Sequence, residues 1–346
     1  MKIGDATIEL LMLMTTSLFY SSDAFVFTPI NHRHTFTIFD VGILYAKNTK
    51  KNKKRVGGRG KPKKDGVVEE DVVKIDKMRE PSNVRKISHI IDRPEPNNPL
   101  HVCTVEVDDV DWWEDPNNDN PFGGKLWPSS IAISNFLVSM GNLEGYDILE
   151  LGCGVGLVSI VAGEIGARVV ASDISFTVLQ LCKAGWRDTQ NLRHGQLLKQ
   201  QKDAQNGKKK DEFDETIVVK PGSLNTFILD LFSEVPLPIS TSSSNKKVVI
   251  AASMMYDPDL AAILARRAFE ACARGAWVII GDDDTGEREG GRQFFISEMD
   301  RLESDKGIYF ERKWTSSVIK SKALNWSEKQ AKVLHLNMPQ DVVAVC

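Results

Sequence analysis

The sequence predicts an α/β fold in which a largely parallel, doubly wound sheet carries helices on both faces. From Gly123 onward, β-prone apolar runs alternate with helical patterns of about 10–15 residues, which is the order of parallel βα units. A glycine-rich turn directly follows the apolar run Ile148–Leu151, and the next run, Arg168–Ser172, ends in Asp173. With 346 residues and 42% hydrophobic content, the chain can hold one or two domains with a well-buried core.

Hydrophobic periodicity predicts the elements in order. The predicted helices are Leu126–Met140, Leu157–Ile165, Phe176–Arg187, Asp257–Ala273 and Gln293–Ser304. The predicted strands are Leu100–Val107, Asp147–Leu151, Val169–Ser172, Asn225–Leu229 together with Thr216–Lys220, Lys247–Ala252, Ala276–Gly281, Ile308–Trp314 and Asp341–Cys346. Asp257 followed by Pro258 is typical of a helix N-cap. The polar runs Lys199–Asp214 and Ile239–Asn245 are predicted as inserted loops.

The glycine-rich turn after the strand Asp147–Leu151 is the strongest functional signal. Its glycines are Gly152, Gly154 and Gly156. They let the backbone approach a ligand, and the helix that begins there offers free N–H donors. A dinucleotide fingerprint would need Gly or Ala where this chain has Leu157. The spacing E-x-G-x-G-x-G looks instead like the cofactor loop of S-adenosylmethionine-dependent methyltransferases, in which Glu150 would accept a hydrogen bond from the cofactor's ammonium group.

Two further acids stand at predicted strand ends, where ligands bind in a doubly wound sheet. Asp173 is expected to accept hydrogen bonds from both hydroxyls of an adenosine ribose, and the alternative is that it caps the following helix. Asp230 follows the apolar run Phe227–Leu229 and is expected at the adenine edge. The alternative for Asp230 is an ordinary turn or capping residue.

Five stretches, taken in order, resemble the family-16 lysine methyltransferase-like proteins, a branch of the seven-strand class I methyltransferases. They are GGKLWPSSIAISNFL (Gly123–Leu137), ELGCGVG, SDIS with Asn191 downstream, ILDLF (Ile228–Phe232) and AASMMYDPDLA (Ala251–Ala261). The resemblance covers Gly123 to Cys346 and implies a seven-strand Rossmann-like sheet with S-adenosylmethionine as cofactor. It further implies that Trp127 lies against the cofactor pocket, that Asp230 matches the acid of the L-D-W motif, and that Tyr256 ends the D/E-x-x-Y motif.

The chain departs from this family at Ser253, where the D/E-x-x-Y motif begins with an acid near the incoming amine. Asp257, Asp259 or the cluster Asp282–Asp284 could replace that acid, and the alternative for the cluster is an exposed acidic turn. Ser253 and Tyr256 are the candidate catalytic residues. The candidate cofactor-binding residues are Trp127, Glu150, Gly152, Gly154, Gly156, Asp173 and Asp230. Trp127 could equally be an ordinary core tryptophan.

The predicted activity is methylation of a protein side chain, with lysine favoured as the acceptor. The alternatives are a small-molecule or nucleic-acid methyltransferase and a non-catalytic module that binds the cofactor and works by protein interaction. Methyl transfer depends mainly on proximity and orientation, so no metal is expected. The five cysteines show no metal-ligand spacing and indicate a reduced compartment, and Cys153 is interpreted as a packing residue rather than a nucleophile.

The charge distribution separates a basic leader from an acidic body. Residues 47–64 contain ten Lys or Arg and no acid, whereas 65–346 hold 32 basic and 43 acidic residues, a net of −11. An acidic body makes a nucleic-acid substrate unlikely and suits a basic protein substrate. No stretch of the sequence is apolar for long enough to predict a transmembrane segment.

Three regions are therefore predicted: a targeting or disordered basic leader (1–66), an N-terminal extension or flap (67–122) and the methyltransferase domain (123–346). The apolar run Leu10–Tyr20 and the small residues behind it resemble the import leaders of algae with complex plastids. A mitochondrion or other organelle, the cytosol and the nucleus are the alternative locations. In the extension, apolar fragments ending at Val107 are expected to pair as a hairpin, and Trp112 and Trp113 to fold a flap onto the domain.

Overall fold

The computed structural model describes residues 83–93, 99–108, 112, 121–205, 219–241, 244–283, 291–321 and 323–343. The chain divides into the units Met1–Asp71 and Val72–Cys346, and all described residues belong to the second unit. The predicted leader, with the localisation drawn from it, and Trp113 therefore lie outside the described residues.

The described part contains nine strands and six α-helices. The strands are β1 (Val84–Ile91), β2 (Leu100–Val107), β3 (Tyr146–Leu151), β4 (Arg168–Asp173), β5 (Ser223–Ile228), β6 (Lys246–Ala252), β7 (Trp277–Asp283), β8 (Arg312–Ser321) and β9 (Trp326–Leu336). The helices are α1 (Pro128–Ser139), α2 (Leu157–Glu164), α3 (Phe176–Gln205), α4 (Pro258–Ala273), α5 (Gly291–Lys306) and α6 (Gln340–Val343), with a 3₁₀ turn at Pro121–Gly124. None of these helices is long and apolar enough to cross a membrane.

Seven strands form one sheet in the order β5-β4-β3-β6-β7-β9-β8. β5, β4, β3, β6 and β7 are parallel, while β9 is antiparallel to both β7 and β8. This confirms the predicted doubly wound α/β sheet with seven strands. β3 lies between β4 and β6, so the order of the chain reverses there, and ligands bind at such a switch point beyond the carboxyl ends of the strands.

The central strands are apolar because helices cover both faces of the sheet. Ile148, Val248 and Ile279 belong to one buried cluster, on the face covered by α1 and α2. Leu149, Val249 and Val278 alternate with them and belong to a second cluster, which α4 and α5 cover. α2 lies inside the first cluster with all eight of its residues buried, which explains why its sequence is apolar on every side.

The predicted N-terminal hairpin is confirmed for its described part: β1 and β2 form a separate antiparallel pair. β2 packs on α3, where the Cys103 N–H donates to Thr189 Oγ1 at 2.8 Å. Trp112 is buried with Val105, Val107, Val178 and Leu181, between the hairpin and α3.

The predicted start of α4 is also confirmed. Asp257 is its N-cap, with the carboxylate accepting the Leu260 N–H at 2.9 Å, and Pro258 occupies the first turn.

Two parts of the predicted element list are wrong. α3 continues through 188–205, whereas the helix was predicted to end at Arg187 and to be followed by a loop from Lys199. The extra turns are rich in Gln, Lys and Leu, which have high helix propensity. Because these turns are mostly exposed, they lack the hydrophobic periodicity from which the helices were predicted. The part of the predicted loop beyond Gln205 lies outside the described residues, as does the start of the predicted strand Thr216–Lys220, and Val219 and Lys220 are not in a strand.

The last two strands were also placed wrongly. The sheet is closed by β8 and β9, whereas residues 308–311 are not in a strand and 341–343 form part of a helical turn. The first half of β9 is largely exposed and polar, so it has no strand-like alternation. The turn between the two strands contains Asn325 at φ 55°, a left-handed conformation that asparagine tolerates.

Candidate active site

A cavity of about 320 Å³ lies at the carboxyl ends of the parallel strands. Its walls come from five segments: Phe122, Gly123 and Lys125–Trp127 with Ser130, Gly152–Val155, Asp173–Ile174, Leu229–Phe232, and Ala252–Met254 with Tyr256, Asp257 and Leu260. Four of these lie at the carboxyl ends of β3, β4, β5 and β6, so the sheet order brings them together. Trp127, Gly152, Gly154, Asp173, Asp230, Ser253 and Tyr256 all line the cavity, whereas Glu150 and Gly156 do not.

The glycine turn is shaped by left-handed backbone and by close neighbours. Gly152 has φ 61°, and a Cβ there would overlap the sulfur of Met254, which follows the neighbouring strand β6. Gly156 has φ 83° and precedes α2, and a Cβ there would overlap the sulfur of Cys182 in α3. Gly152 therefore keeps the cavity wall close-packed, while Gly156 keeps the turn against α3.

Asp173 is buried at the end of β4 and connects two cavity segments. Its carboxylate accepts the Gly154 N–H at 3.1 Å and the Ser175 N–H at 3.0 Å. The following helix is capped by Ser175, whose Oγ accepts the Val178 N–H at 3.4 Å, so the alternative role considered for Asp173 belongs to Ser175. The contact of Asp173 with a ribose stays a prediction.

Glu150 is directed away from the predicted ligand contact. Its Oε2 accepts the Ser159 N–H at 3.0 Å and also bonds the Ser159 hydroxyl, in the first turn of α2. Burial raises the pKa of Glu150 to about 8, although the bonds from Ser159 act in the opposite direction. Glu150 thus stabilises the first turn of α2 through its hydrogen bonds with Ser159. Its contact with a cofactor ammonium stays a prediction.

Ser253 stands directly after β6 in a strained conformation. Its φ is 58°, which is uncommon for a residue other than glycine, asparagine or aspartate. Its N–H donates to the Gly281 carbonyl at 2.9 Å, and its Oγ lies 2.6 Å from Ser129 Oγ. The Ser129 N–H in turn donates to the Asp283 carboxylate at 2.7 Å. A buried pair of hydroxyl groups, those of Ser129 and Ser253, therefore lies where the D/E-x-x-Y motif of the family that this chain resembles begins with an acid.

The acids considered as replacements lie in different surroundings. Asp257 lines the cavity but caps α4, and Asp259 is exposed in the first turn of that helix. Asp282 forms an ion pair with Arg292 at 2.5 Å, and Asp283 accepts the Ser129 N–H. Neither Asp282 nor Asp283 lines the cavity, and Asp284 lies outside the described residues.

Three aromatic side chains stand together at the cavity wall. Trp127 precedes α1, and its Nε1 donates to the Phe122 carbonyl at 3.1 Å. The Phe122 ring centroid lies 6.5 Å from that of Trp127 and 5.5 Å from that of Tyr256. Phe122 was not among the site residues predicted from the sequence. The signal for it is local: an aromatic residue stands between Pro121 and a pair of glycines just before Trp127.

Asp230 follows β5 and lines the cavity, with its carboxylate accepting the Phe232 N–H at 2.9 Å. This bond closes a short turn whose side chains Leu229, Leu231 and Phe232 contribute apolar wall. Asp230 therefore is a turn residue and also places its carboxylate at the cavity wall. Its contact with an adenine stays a prediction.

The described thiols have the character of packing residues. Cys103, Cys153, Cys182 and Cys272 are buried and free. The neighbouring Cys182 thiol and burial both raise the pKa of Cys153 well above its usual value, which disfavours a nucleophilic thiolate. Within the ranges that the structure describes, no group of three or more His, Cys, Asp or Glu could hold a metal ion.

The comparisons agree on one class of protein. Residues 105–196 match the model of the lysine methyltransferase family 16. Over 56 residues, the chain is 41% identical to protein-lysine methyltransferase METTL21E of Mus musculus, which is 15% of this chain and 23% of that protein. It is 43% identical to the Bos taurus protein of the same name, over 15% of this chain and 19% of that protein. The chain thus matches about a fifth of the length of these curated relatives. Because the matched family consists of methyltransferases, the match supports S-adenosylmethionine as the cofactor.

Solved structures show a more distant similarity. Magnesium protoporphyrin IX methyltransferase of Synechocystis PCC 6803 is 16% identical at a TM-score of 0.34, covering 60% of this chain and 81% of that one. A TehB-like methyltransferase of Corynebacterium glutamicum is 13% identical at a TM-score of 0.35, covering 65% and 95%.

Proposed function

We propose that this chain transfers a methyl group from S-adenosylmethionine to a protein side chain, with lysine favoured; the match of residues 105–196 to the lysine methyltransferase family 16 supports this proposal. The observation that carries the proposal is that Gly152, Gly154 and Asp173 line the same cavity as Ser253 and Tyr256. A methyltransferase needs this arrangement, because cofactor and acceptor must meet within one site.

On the cofactor side, Asp173 is the residue we assign to the ribose hydroxyls and Asp230 to the adenine edge. Asp173 suits this role because the Gly154 and Ser175 N–H groups already hold its carboxylate in place. Trp127, Ile174 and Phe232 provide apolar wall for a flat base. When bound, S-adenosylmethionine supplies an electrophilic methyl group on a positively charged sulfur.

On the acceptor side, Ser253 and Tyr256 are assigned to hold the nucleophile in line with that methyl group. The acceptor nitrogen must first lose a proton to solvent, since an ammonium group has no lone pair. Its lone pair then forms the new C–N bond while the C–S bond breaks and its electrons stay on sulfur. Proximity and alignment provide most of the rate of such a displacement, so the two residues act mainly by positioning.

The test is incubation of the full chain with labelled S-adenosylmethionine and an extract of the source organism. We expect label in a discrete protein band, lost with Asp173→Asn and kept with Asp259→Asn, an exposed acid outside the cavity. Label confined to small molecules or nucleic acid would contradict the proposed substrate class in favour of that alternative. Cofactor binding without any transfer would contradict the proposed activity and favour the non-catalytic module.

The variant Ser253→Asp distinguishes an active methyltransferase from a non-catalytic module that has lost its catalytic acid. Aspartate tolerates the left-handed backbone at this position and would restore the acid of the family motif. If the natural site is active with its hydroxyl pair, the added charge beside Ser129 and Asp283 should leave the rate unchanged or lower it. A large rise in rate would instead indicate a site that has lost its catalytic acid.

A further inference from the structure

The segment that carries Asp230 and Phe232 to the cavity has no regular secondary structure. Residues 229–241 follow β5 without a helix or a strand, and the first four of them line the cavity. The Phe232 side chain is 58% exposed, so packing against a core does not fix its ring. A cavity wall of this kind needs another source of order, because a loop that is ordered only on binding costs affinity.

One buried guanidinium supplies that order. Arg267 of α4 is 6% exposed, and its Nε donates to the Leu231 carbonyl at 3.0 Å. Its Nη2 donates to the Ser233 carbonyl, and its Nη1 donates to the Val235 carbonyl at 3.0 Å. Burial of a charge is costly unless the charge is paired and hydrogen-bonded. The three carbonyls, together with the Glu270 carboxylate at 3.0 Å, provide those partners for Arg267.

Arg267 holds the backbone on both sides of Phe232. Leu231 and Ser233 are the residues before and after it, and the carbonyls of both accept hydrogen bonds from the guanidinium. The Phe232 N–H in turn donates to the Asp230 carboxylate at 2.9 Å. The positions of this ring and this carboxylate therefore depend on one arginine side chain that does not itself line the cavity.

A second arginine holds the later part of the loop. The Nη1 of Arg274 donates to the Leu237 carbonyl at 2.7 Å, and its Nη2 donates to the Ile239 carbonyl at 3.3 Å. The Glu270 carboxylate accepts the Leu237 N–H at 2.7 Å. These contacts lie beyond the four residues that line the cavity. Arg267 thus acts on the cavity wall, whereas Arg274 acts on the part of the loop that returns toward β6.

We infer that Arg267 is a positioning residue for the cofactor: it holds Leu229–Phe232 in the shape that takes an adenine base, and so sets affinity for the cofactor and preference for adenine. The inference rests on the proposed function and adds to it a residue that does not touch the ligand. Adenine presents an amino group at the edge assigned to Asp230, whereas hypoxanthine has a carbonyl oxygen there. Two facing acceptors repel, so a carboxylate that is held in place should reject hypoxanthine more strongly than one on a loosened loop.

The test compares S-adenosylhomocysteine with S-inosylhomocysteine, each titrated into the full chain by calorimetry. We expect the wild-type chain to prefer the adenine ligand by about tenfold or more. Arg267→Lys keeps the charge but loses the planar fork of donors, so it should weaken binding of the adenine ligand by about three- to tenfold and reduce the preference. Arg267→Met removes the charge as well and should have the larger effect on both quantities.

Arg266→Met is the matched control. Arg266 is the neighbour of Arg267 on α4, is exposed, and forms its ion pair with Glu298 of α5 at 2.7 Å. Its replacement should change neither the affinity nor the preference. Arg274→Met removes carbonyl bonds beyond the cavity segment, so it should lower thermal stability and keep the preference. Thermal unfolding without ligand shows whether each variant is folded, and Arg267→Lys provides the test if Arg267→Met is not.

A preference that is unchanged in the Arg267 variants would overturn the inference, even where those variants are less stable. Equal binding of the two ligands by the wild-type chain would also overturn it and would refute the Asp230 assignment. Labelling of a protein band would still stand in both cases as evidence for methyl transfer. Absence of S-adenosylhomocysteine binding to the wild-type chain would contradict the proposed function itself, and the inference with it.

Hydrogen exchange provides a second readout that a purely structural role would not move. In the free protein, amides of residues 229–239 should exchange faster in Arg267→Lys than in the wild-type chain. The slowing of this exchange by S-adenosylhomocysteine should be larger in the variant, because the ligand must then order the loop. Slowing of the same size in both proteins would contradict the inference.

Discussion

Asp173 shows how one side chain can serve both the fold and the proposed reaction. It is buried at the end of β4, and its carboxylate holds the N–H groups of Gly154 and Ser175. The two oxygens are thereby fixed at the wall of the cavity before any ligand arrives. Such preorganisation lowers the cost of ordering the site on binding.

The change Asp173→Asn should weaken cofactor binding by about tenfold or more. The amide keeps one acceptor oxygen but loses the charge and offers N–H groups to donors that need an acceptor, and a hydrogen bond to a charged group contributes about 1.5–3 kcal/mol. Isothermal titration with S-adenosylhomocysteine measures the effect, and Asp259→Asn is the control. Unchanged affinity in the Asp173→Asn variant would refute the ribose assignment.

Glu150 belongs to the neighbouring strand β3 and acts on stability. Because its pKa is raised from 4.5 to about 8, the folded state keeps a proton that the unfolded state has released across this range. Stability from this group therefore falls as pH rises from about 4.5 to 8, by up to about 1.4 kcal/mol per pH unit. Glu150→Gln keeps an acceptor for Ser159 and cannot ionise.

We expect Glu150→Gln to gain stability relative to the wild-type chain as pH rises, with the difference constant above about pH 8. Urea unfolding of both proteins at pH 5, 7 and 9 provides the measurement. A difference that does not change between pH 5 and pH 9 would show that Glu150 is ionised throughout in the folded protein.

At the scale of elements, the contact between the hairpin and α3 depends on a glycine inside a helix. A Cβ at Gly185 would lie 2.8 Å from the Cys103 carbonyl oxygen and 2.9 Å from Ile160 Cδ1. Gly195, in the same helix, would have no heavy atom within 4 Å of an added Cβ. The two positions form a matched pair, because helix propensity favours alanine by about 1 kcal/mol at both.

Gly195→Ala should therefore stabilise the protein by about 0.5–1 kcal/mol, whereas Gly185→Ala should destabilise it by about 1–3 kcal/mol through overpacking against β2. Chemical denaturation of both variants checks the signs. A stabilising Gly185→Ala would mean that the hairpin does not pack on α3 at this contact.

Elements were predictable where their signal is local. The turn after β3, the N-cap Asp257 and the buried central strands follow from glycine spacing, capping chemistry and apolar runs. The end of α3 and the position of β9 were not predictable in this way, because exposed stretches of both elements have no hydrophobic period. Their location depends on helix propensity in one case and on pairing with β7 and β8 in the other.

At the scale of the whole molecule, two buried histidines change stability with pH in the direction opposite to Glu150. His335 is buried against Phe136 and Trp277, and among the described residues its ring nitrogens have no hydrogen-bond partner. Burial lowers the pKa of His335 to about 4, and that of His89 likewise to about 4. The unfolded chain takes up protons at these positions below about pH 6.5, so the stability that they contribute is lost as pH falls from about 6.5 to 4.

The stability of the chain should consequently peak between about pH 6 and 7 and fall on both sides. His335→Phe should reduce the loss on the acid side, since phenylalanine fits the aromatic cluster and cannot take up a proton. Glu150→Gln should reduce the loss on the alkaline side. Thermal unfolding from about pH 4 to pH 9 measures both limbs, and an acid limb unaffected by His335→Phe would show that other groups cause it.

The sequence by itself determined the alternation of strands and helices, the glycine turn and the acid at the end of β4, because these depend on neighbouring residues. Only the tertiary structure decided which distant side chains meet. Ser129 and Ser253 meet although they are 124 positions apart, and Phe122 meets Tyr256 at the wall of the cavity. It also directed Glu150 toward Ser159 rather than into the cavity. Such contacts depend on strand order and on how helices pack across the sheet, and no local period in the chain encodes either.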